Sequence, residues 1–373
     1  MSAVLDSSGT VDLTDARAHP AHAAAHGATV TAPGASAVAP ARRQRSRPAT
    51  RRQPWGVGLV ASLAWGGAGV LTVYWPNLER GFTDWPYTQE AGWCFVGVGV
   101  LLAVLAFVAP FSGRAGAAVL RPLRPAGAWL VAIALGLGLW ELLTAKLGRL
   151  PSPFFAPPTA LAEVYLDDWK RLGESTWNSA RLLAIGVGWG GLVGFLVGVS
   201  IGWSRAIGYW VHPVIRFLGP VPASALLPLA FFAFPSSYAA AVFLIALATG
   251  FPVAVLTWSG VASVNRNYYD VARTLGASEA FLVLRVAIPA ALPQVFVGLF
   301  MGLGAAFSIL VTAEMMGVKS GLGWYLTWAQ GWASYSNMYA ALILMAILCS
   351  GIITLLFLLR DRVLSWQKGT VKW

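Results

Sequence analysis

Charge is the scarcest commodity in this chain of 373 residues: Asp, Glu, Lys and Arg together make up 11%. A soluble globular domain carries about 25%, so the soluble globular class is excluded at the outset. Histidine is nearly absent. Of four, His19, His22 and His26 sit near the start and only His212 lies beyond them. The two cysteines, Cys94 and Cys349, stand far apart in apolar runs and read as small hydrophobes. With no CxxC or HExxH pattern, a zinc or haem site built from paired ligands has no material. A Ser-His-Asp hydrolase would have to use His212 beside Pro213, where nothing else fits. No GxxxxGK[ST] phosphate loop occurs, so this chain is not expected to hydrolyse ATP itself.

What is present is hydrophobic. Apolar residues reach 57% and mean hydropathy is +0.65. Eight stretches approach the roughly 20 residues that a bilayer requires. They are Trp55–Trp75, Trp93–Phe111, Gly127–Ala145, Leu182–Trp203, Pro220–Phe234, Ala239–Trp258, Pro293–Thr312 and Met338–Leu359. The fifth is short and proline-rich. The expected fold is therefore an all-α polytopic membrane protein of about eight transmembrane helices, with tryptophans anchoring helices at the headgroups.

The charges orient these spans. Arg42, Arg43, Arg45, Arg47, Arg51 and Arg52 precede the first span and belong in the cytoplasm. Glu79, Asp84 and Glu90 outnumber Arg80 in the next loop, which reads as external. Arg121 and Arg124, Arg205 and Arg216, then Arg266, Arg273 and Arg285 mark internal segments, as do Arg360 and Arg362 near the end. Both termini are then cytoplasmic. The net charge of +11 follows largely from this bias and does not argue for a nucleic-acid partner.

Three regions are expected. Residues 1–54 form a basic, disordered cytoplasmic tail, in which the three histidines are a poor frame for a metal. Residues 55–125 add a helix pair that suggests no chemistry and reads as an anchor or packing surface, dispensable for transport. Residues 126–373 form the main transmembrane domain, with a polar loop at 259–292. In the fourth span Gly186, Gly190, Gly194, Gly198 and Gly202 recur every four residues, a stripe that lets a neighbouring backbone approach. Gly298 and Gly302 repeat the spacing. Val199, roughly 140° around the helix from Gly194, is expected to face lipid.

The polar loop holds the segment NRNYYDVARTLGASEAFLVLRVAIP, Asn265–Pro289. Tyr268, Val271, Ala272 and Leu275 fall on one helix face. Asn265 or Asn267 can cap the start, and Gly276 stands where a helix ends left-handed. Ser278 can cap a second helix, which Pro289 closes. A helical knob between two spans suits a soluble partner.

That segment resembles the signature loop of bacterial ABC-importer permeases: Glu-Ala-Ala, three residues, Gly, nine residues, Ile-x-Leu-Pro. Here Asp270-Val271-Ala272, Gly276 and Val286-Ala287-Ile288-Pro289 occupy those places, with Asp for Glu, Val for Ala, Val for Ile and Ile for Leu. The wording ARTLGAS, IPAALPQ, AEMMGVKSGLG and LPSPFFAPP is similar to the nitrate, sulfonate and taurine branch. The resemblance covers roughly Gly127–Arg362. It implies a six-helix type I importer core plus the N-terminal pair, in a bacterial inner membrane. It implies two permease subunits, here a homodimer, with ATP-binding cassette subunits that hold ATP and Mg beneath and a periplasmic substrate-binding protein above. Tyr268, Asp270, Val271, Ala272, Leu275, Gly276, Ile288 and Pro289 would form the ATPase-coupling loop of a non-catalytic subunit. A passive channel is the rival reading, and it has no need of the knob.

Two acids fall within spans. Glu141 lies in the third, and Glu314 at the outer end of the seventh. Intramembrane carboxylates are functional candidates by default, though each can also join helices by hydrogen bonds. The phrase AEM places Glu314 beside the family's pathway, yet a carboxylate repels an anion, which favours an architectural or gating role. Ser308 and Thr312, one turn apart, can offer hydroxyls to an anion or bond back to their own helix.

Overall fold

The structure, a computed structural model, describes residues 54–78, 85, 87–151, 153–219 and 221–367. The N-terminal tail, with its histidines and arginines, lies outside the described residues. Among those described there is no strand.

The described residues form thirteen α-helices: α1 Gly56–Tyr74, α2 Thr88–Val108, α3 Gly113–Glu141, α4 Pro158–Asp167, α5 Trp169–Trp203, α6 Arg205–Leu218, α7 Leu227–Ala233, α8 Ser237–Ala262, α9 Arg266–Thr274, α10 Glu279–Phe281, α11 Ile288–Met316, α12 Leu322–Gly331 and α13 Tyr335–Val363. Among the described residues seven helical stretches are long and apolar enough to cross a membrane: Gly56–Tyr74, Thr88–Phe111, Gly113–Lys146, Trp169–Trp203, Ser237–Ala262, Glu279–Met316 and Tyr335–Val363. The chain is thus an all-α polytopic membrane protein.

The central packing unit is α8 held between α5 and α11. The glycine stripe of α5 lies directly on α8. A Cβ built on Gly186 would stand 2.4 Å from Ile245, one on Gly194 2.4 Å from the Gly250 carbonyl, and one on Gly202 2.7 Å from Val261. Numbers rise together along both helices, so α5 and α8 run parallel. On its other side α8 meets α11, where Gly298 touches Val253 and Gly302 touches Thr249. There the order reverses and the pair is antiparallel. Bare glycine faces let these backbones approach, the way membrane helices gain contact without a hydrophobic drive. Val199 is not a lipid-facing position. It packs against Val261, Ala287 and Ala291, where the ends of α5, α8 and α11 converge.

Parallel α5 and α8 require the chain between them to return across the full thickness. The return runs back along α8: His212 stacks edge-on to Trp258, Gly219 meets Phe251, and Phe234 lies against Phe243. The fifth crossing therefore exists, but it begins near Arg205 rather than Pro220. It is broken into α6, a 3₁₀ turn Ala223–Leu226 and α7. The third span also starts earlier than hydropathy indicates, because α3 runs on from Gly113 through Pro122 and Pro125.

α1, α2 and α3 form a second group. Gly69 of α1 approaches Gly92 and Val96 of α2, and Trp65 donates from its indole to the Leu130 carbonyl of α3 at 3.1 Å.

Candidate functional site

The knob is built as its residues dictate. Asn265 caps α9, its side chain accepting from the Asn267 N–H at 3.0 Å. Gly276 adopts φ +81°. The Ala277 N–H reaches the Ala272 carbonyl at 3.0 Å and the Gly276 N–H reaches Arg273 at 2.9 Å, the paired bonds of a Schellman motif. Ser278 caps the next turn by accepting from Phe281 at 3.3 Å. An exposed Arg273–Glu279 ion pair of 3.2 Å spans the bend.

Pro289 does not close the second helix. A π-helical turn, Leu282–Ala287, carries α10 into α11, and Pro289 falls in the first turn of α11. There a missing N–H is tolerated. The knob's second arm and a transmembrane helix are thus one continuous helix, Glu279–Met316.

The two faces of α9 differ sharply. Tyr268, Val271 and Leu275 point outward, 67%, 60% and 83% exposed. Ala272, Ile288 and Pro289 are half-buried, and Asp270 is exposed. The inward face is anchored by Tyr269, which no sequence signal singled out. Its ring meets Trp203 edge-on at 5.7 Å and packs on Val261, Ala287 and Ala291. Its hydroxyl is buried without a partner among the described residues, and burial pushes the phenol pKa up. The knob therefore rests on the permease through Tyr269 and leaves the apolar trio Tyr268, Val271 and Leu275 uncovered.

Toward the middle of the molecule, the break in the fifth crossing opens a cavity of about 380 Å³ between α6, α8 and α11. Gly219, Ser224, Phe251, Ala305, Ser308 and Ile309 are among its walls, and among the described residues no charged side chain lines it. Its side-chain polar groups are the hydroxyls of Ser224 and Ser308. Thr312 bonds back to the Ser308 carbonyl at 2.8 Å and is not in the lining.

Glu314 is also absent from the cavity. It is 1% exposed and accepts from the Ser179 hydroxyl at 2.7 and 2.9 Å and from the Gly323 N–H at 2.8 Å. Ser179 in turn accepts from the Leu322 N–H at 2.8 Å. The carboxylate thus ties α5 to the start of α12, and Gly321, at φ +100°, passes too close to it for any side chain. Glu141 is fully buried, 3.4 Å from the Thr159 hydroxyl of α4. On the same side, Tyr325 of α12 donates to Asp168 at 2.8 Å; burial and then that carboxylate raise its pKa.

Comparison with known proteins agrees with this arrangement. Residues 190–367 match the family model described as the binding-protein-dependent transport system inner membrane component. A probable ABC transporter permease protein of Brucella abortus is 31% identical over 242 residues, which cover 64% of this chain and 95% of that protein. The nitrate import permease protein of Synechococcus elongatus is 30% identical over 270 residues, 69% of this chain and 94% of that one. A putative aliphatic sulfonates transport permease protein of Bacillus subtilis is 30% identical over 195 residues, 52% and 69% of the two chains. A chain with a bundle of this kind, a capped two-helix knob and relatives matched over nearly their whole length belongs to the binding-protein-dependent inner membrane components, the permeases of ABC transporters.

Proposed function

We propose that this chain is the membrane-spanning subunit of an ATP-driven importer, carrying a small anion across a bacterial inner membrane by alternating access. The observation that carries the reading is the divided α9. One face is seated on the bundle through Tyr269, while Tyr268, Val271 and Leu275 stand open. A passive channel would have no reason to hold three large apolar side chains out toward water. A nucleotide-binding subunit that covers them gains the hydrophobic term, about 25 cal/mol per Å² of apolar surface. It also gains a lever, because the knob continues into α11, the helix that carries Glu314 near its far end. ATP and Mg belong to that partner, since this sequence has no phosphate loop.

The positive-inside pattern supports a cytoplasmic knob and cytoplasmic termini; in that orientation α4 and α12 face a periplasmic binding protein. A second copy of the chain completes the pathway. An anion is supported by the uncharged, hydroxyl-bearing cavity and by the withdrawal of Glu314 from it. Nitrate, bicarbonate and sulfonate, the solutes named for relatives, are the solutes to try first. The test is purification from native membranes with identification of copurifying subunits, followed by uptake of those three anions into vesicles. An ATP-binding subunit should copurify, and uptake should require ATP. Uptake that needs neither would establish the channel.

A further inference from the structure

The N-terminal helix pair contains no recognisable chemistry, and one family relative is matched over 95% of its length by only 64% of this chain. The expected role is an anchor or packing surface, and the structure shows what joins it to α3. Lys146, at the end of the π-helical turn Leu142–Lys146 that extends α3, is only 3% exposed. Its ammonium donates to the Thr72 carbonyl at 2.8 Å, to the Trp75 carbonyl and to Asn77 Oδ1 at 2.7 Å. Three N–H donors meet three oxygens, which is all an ammonium can use.

Two of these acceptors are carbonyls at the C-terminal end of α1, where the last turn has no partners of its own and a cation is favoured. In a lipid surrounding such carbonyls must be satisfied within the protein. A return bond runs from the Leu78 N–H to the Ala145 carbonyl at 2.8 Å. Asn77 is itself held, its amide donating to Thr88 of α2 at 3.0 Å. The pair also reaches α4: Tyr87 donates to Asp167 at 3.3 Å, and Trp85 packs against Ala156, Ala160 and Leu161. Glu141, five residues before Lys146 at the end of α3, accepts from the Thr159 hydroxyl of α4 at 3.4 Å.

We infer that α1 and α2 are a fixed brace of the permease, clasped to α3 by Lys146, and that through this clasp they hold α4 in place at that end of the bundle. The brace is an internal interface with a chemical key, a single buried ammonium saturated by one helix terminus and one asparagine.

The experiment uses the full chain with Cys94→Ala and Cys349→Ala and a reporter pair, Ala68→Cys and Gly138→Cys. A Cβ on Gly138 would lie 3.2 Å from the Ala68 Cβ, close enough for a disulfide after slight adjustment. Oxidation in membranes measures docking of α1 on α3, and the melting temperature of the purified chain in detergent measures what docking stabilises. Lys146→Met keeps the stem and removes every donor. It should slow cross-linking severalfold and lower the melting temperature by several degrees, and the formed disulfide should restore the melting temperature. Asn77→Ala, which removes one acceptor, should give a smaller change in the same direction and serves if Lys146→Met does not accumulate. Cross-linking and melting unchanged from the parent in whichever variant accumulates would overturn the inference, and so would slowed cross-linking with unchanged melting.

Discussion

Replacing Gly194 with leucine should drive α5 away from α8. The first atom to intrude, Cβ, would meet the Gly250 carbonyl oxygen at 2.4 Å, the Gly250 Cα at 2.9 Å and its carbonyl carbon at 3.0 Å. All three are backbone atoms, so no rotamer change relieves them. Moving a 2.4 Å approach out to an ordinary 3.4 Å contact needs a shift of about 1 Å. That shift would also loosen the neighbouring close contacts at Gly190 and Gly198. Overpacking of this kind costs about 1–3 kcal/mol. Alanine at 194 recovers up to about 1 kcal/mol of helix propensity and should sit at the low end. Leucine, with three more carbons, should reach the high end or exceed it. A loss of 1–2 kcal/mol already changes the folded ratio by a factor of about 5–30. Val193→Leu is the control, since Val193 is 52% exposed on the outer side of the same helix; surface changes of this sort stay within about 0.5 kcal/mol. Val199 cannot serve, because it is packed at the base of the knob. The assay is accumulation in membranes, then thermal unfolding and size-exclusion behaviour in detergent. If Gly194→Leu accumulates and melts like Val193→Leu, the close approach of α5 and α8 does not hold this bundle together.

Three further outcomes are expected. Gly276→Val has open space for its side chain but must hold φ +81°, at roughly 1–2 kcal/mol or more for a β-branched residue; the chain should insert and fold while ATP hydrolysis uncouples from uptake, and normal coupled uptake would count against the knob's role. Glu314→Leu strands Ser179 and the Gly323 N–H, each bond to a charged group being worth about 1.5–3 kcal/mol, so its melting temperature should fall clearly below that of Glu314→Gln; equal melting of the two would mean that the carboxylate joins nothing. Ser308→Phe should fill the central cavity and abolish uptake with subunit assembly intact, whereas undiminished uptake would show that solute passes elsewhere.

Much of this was legible in the sequence, and the exceptions have physical causes. Long apolar runs announce crossings plainly, and the four-residue glycine spacing puts one bare face along α5. Hydropathy places the fifth crossing too late because α6 carries Arg205, His212 and Arg216, while Pro220 and Pro222 resemble a boundary. Arg114, Arg121 and Arg124 hid the start of α3 in the same way. Pro289 resembled a stop signal, but a π-helical turn just before it absorbs the irregularity. At the knob, caps and the left-handed glycine could be read from local chemistry, since each depends on neighbours in sequence. Which face of α9 is covered could not, because Tyr269 finds Trp203 across 66 positions. Ser179 and Lys146 gave no signal for a like reason: their partners lie far away in the chain, and a lone serine or lysine at the end of a span is ordinary.

The most direct test of the central claim concerns Leu275, the most exposed residue of the open face. Leu275→Glu should leave insertion and melting of the chain unchanged, because the side chain touches nothing that holds the fold. It should nevertheless abolish copurification of the ATP-binding subunit, since a carboxylate buried in an apolar contact without a partner costs several kcal/mol. Copurification at the parent level, with ATP-dependent uptake intact, would contradict the assignment of α9 as the surface through which this permease is driven.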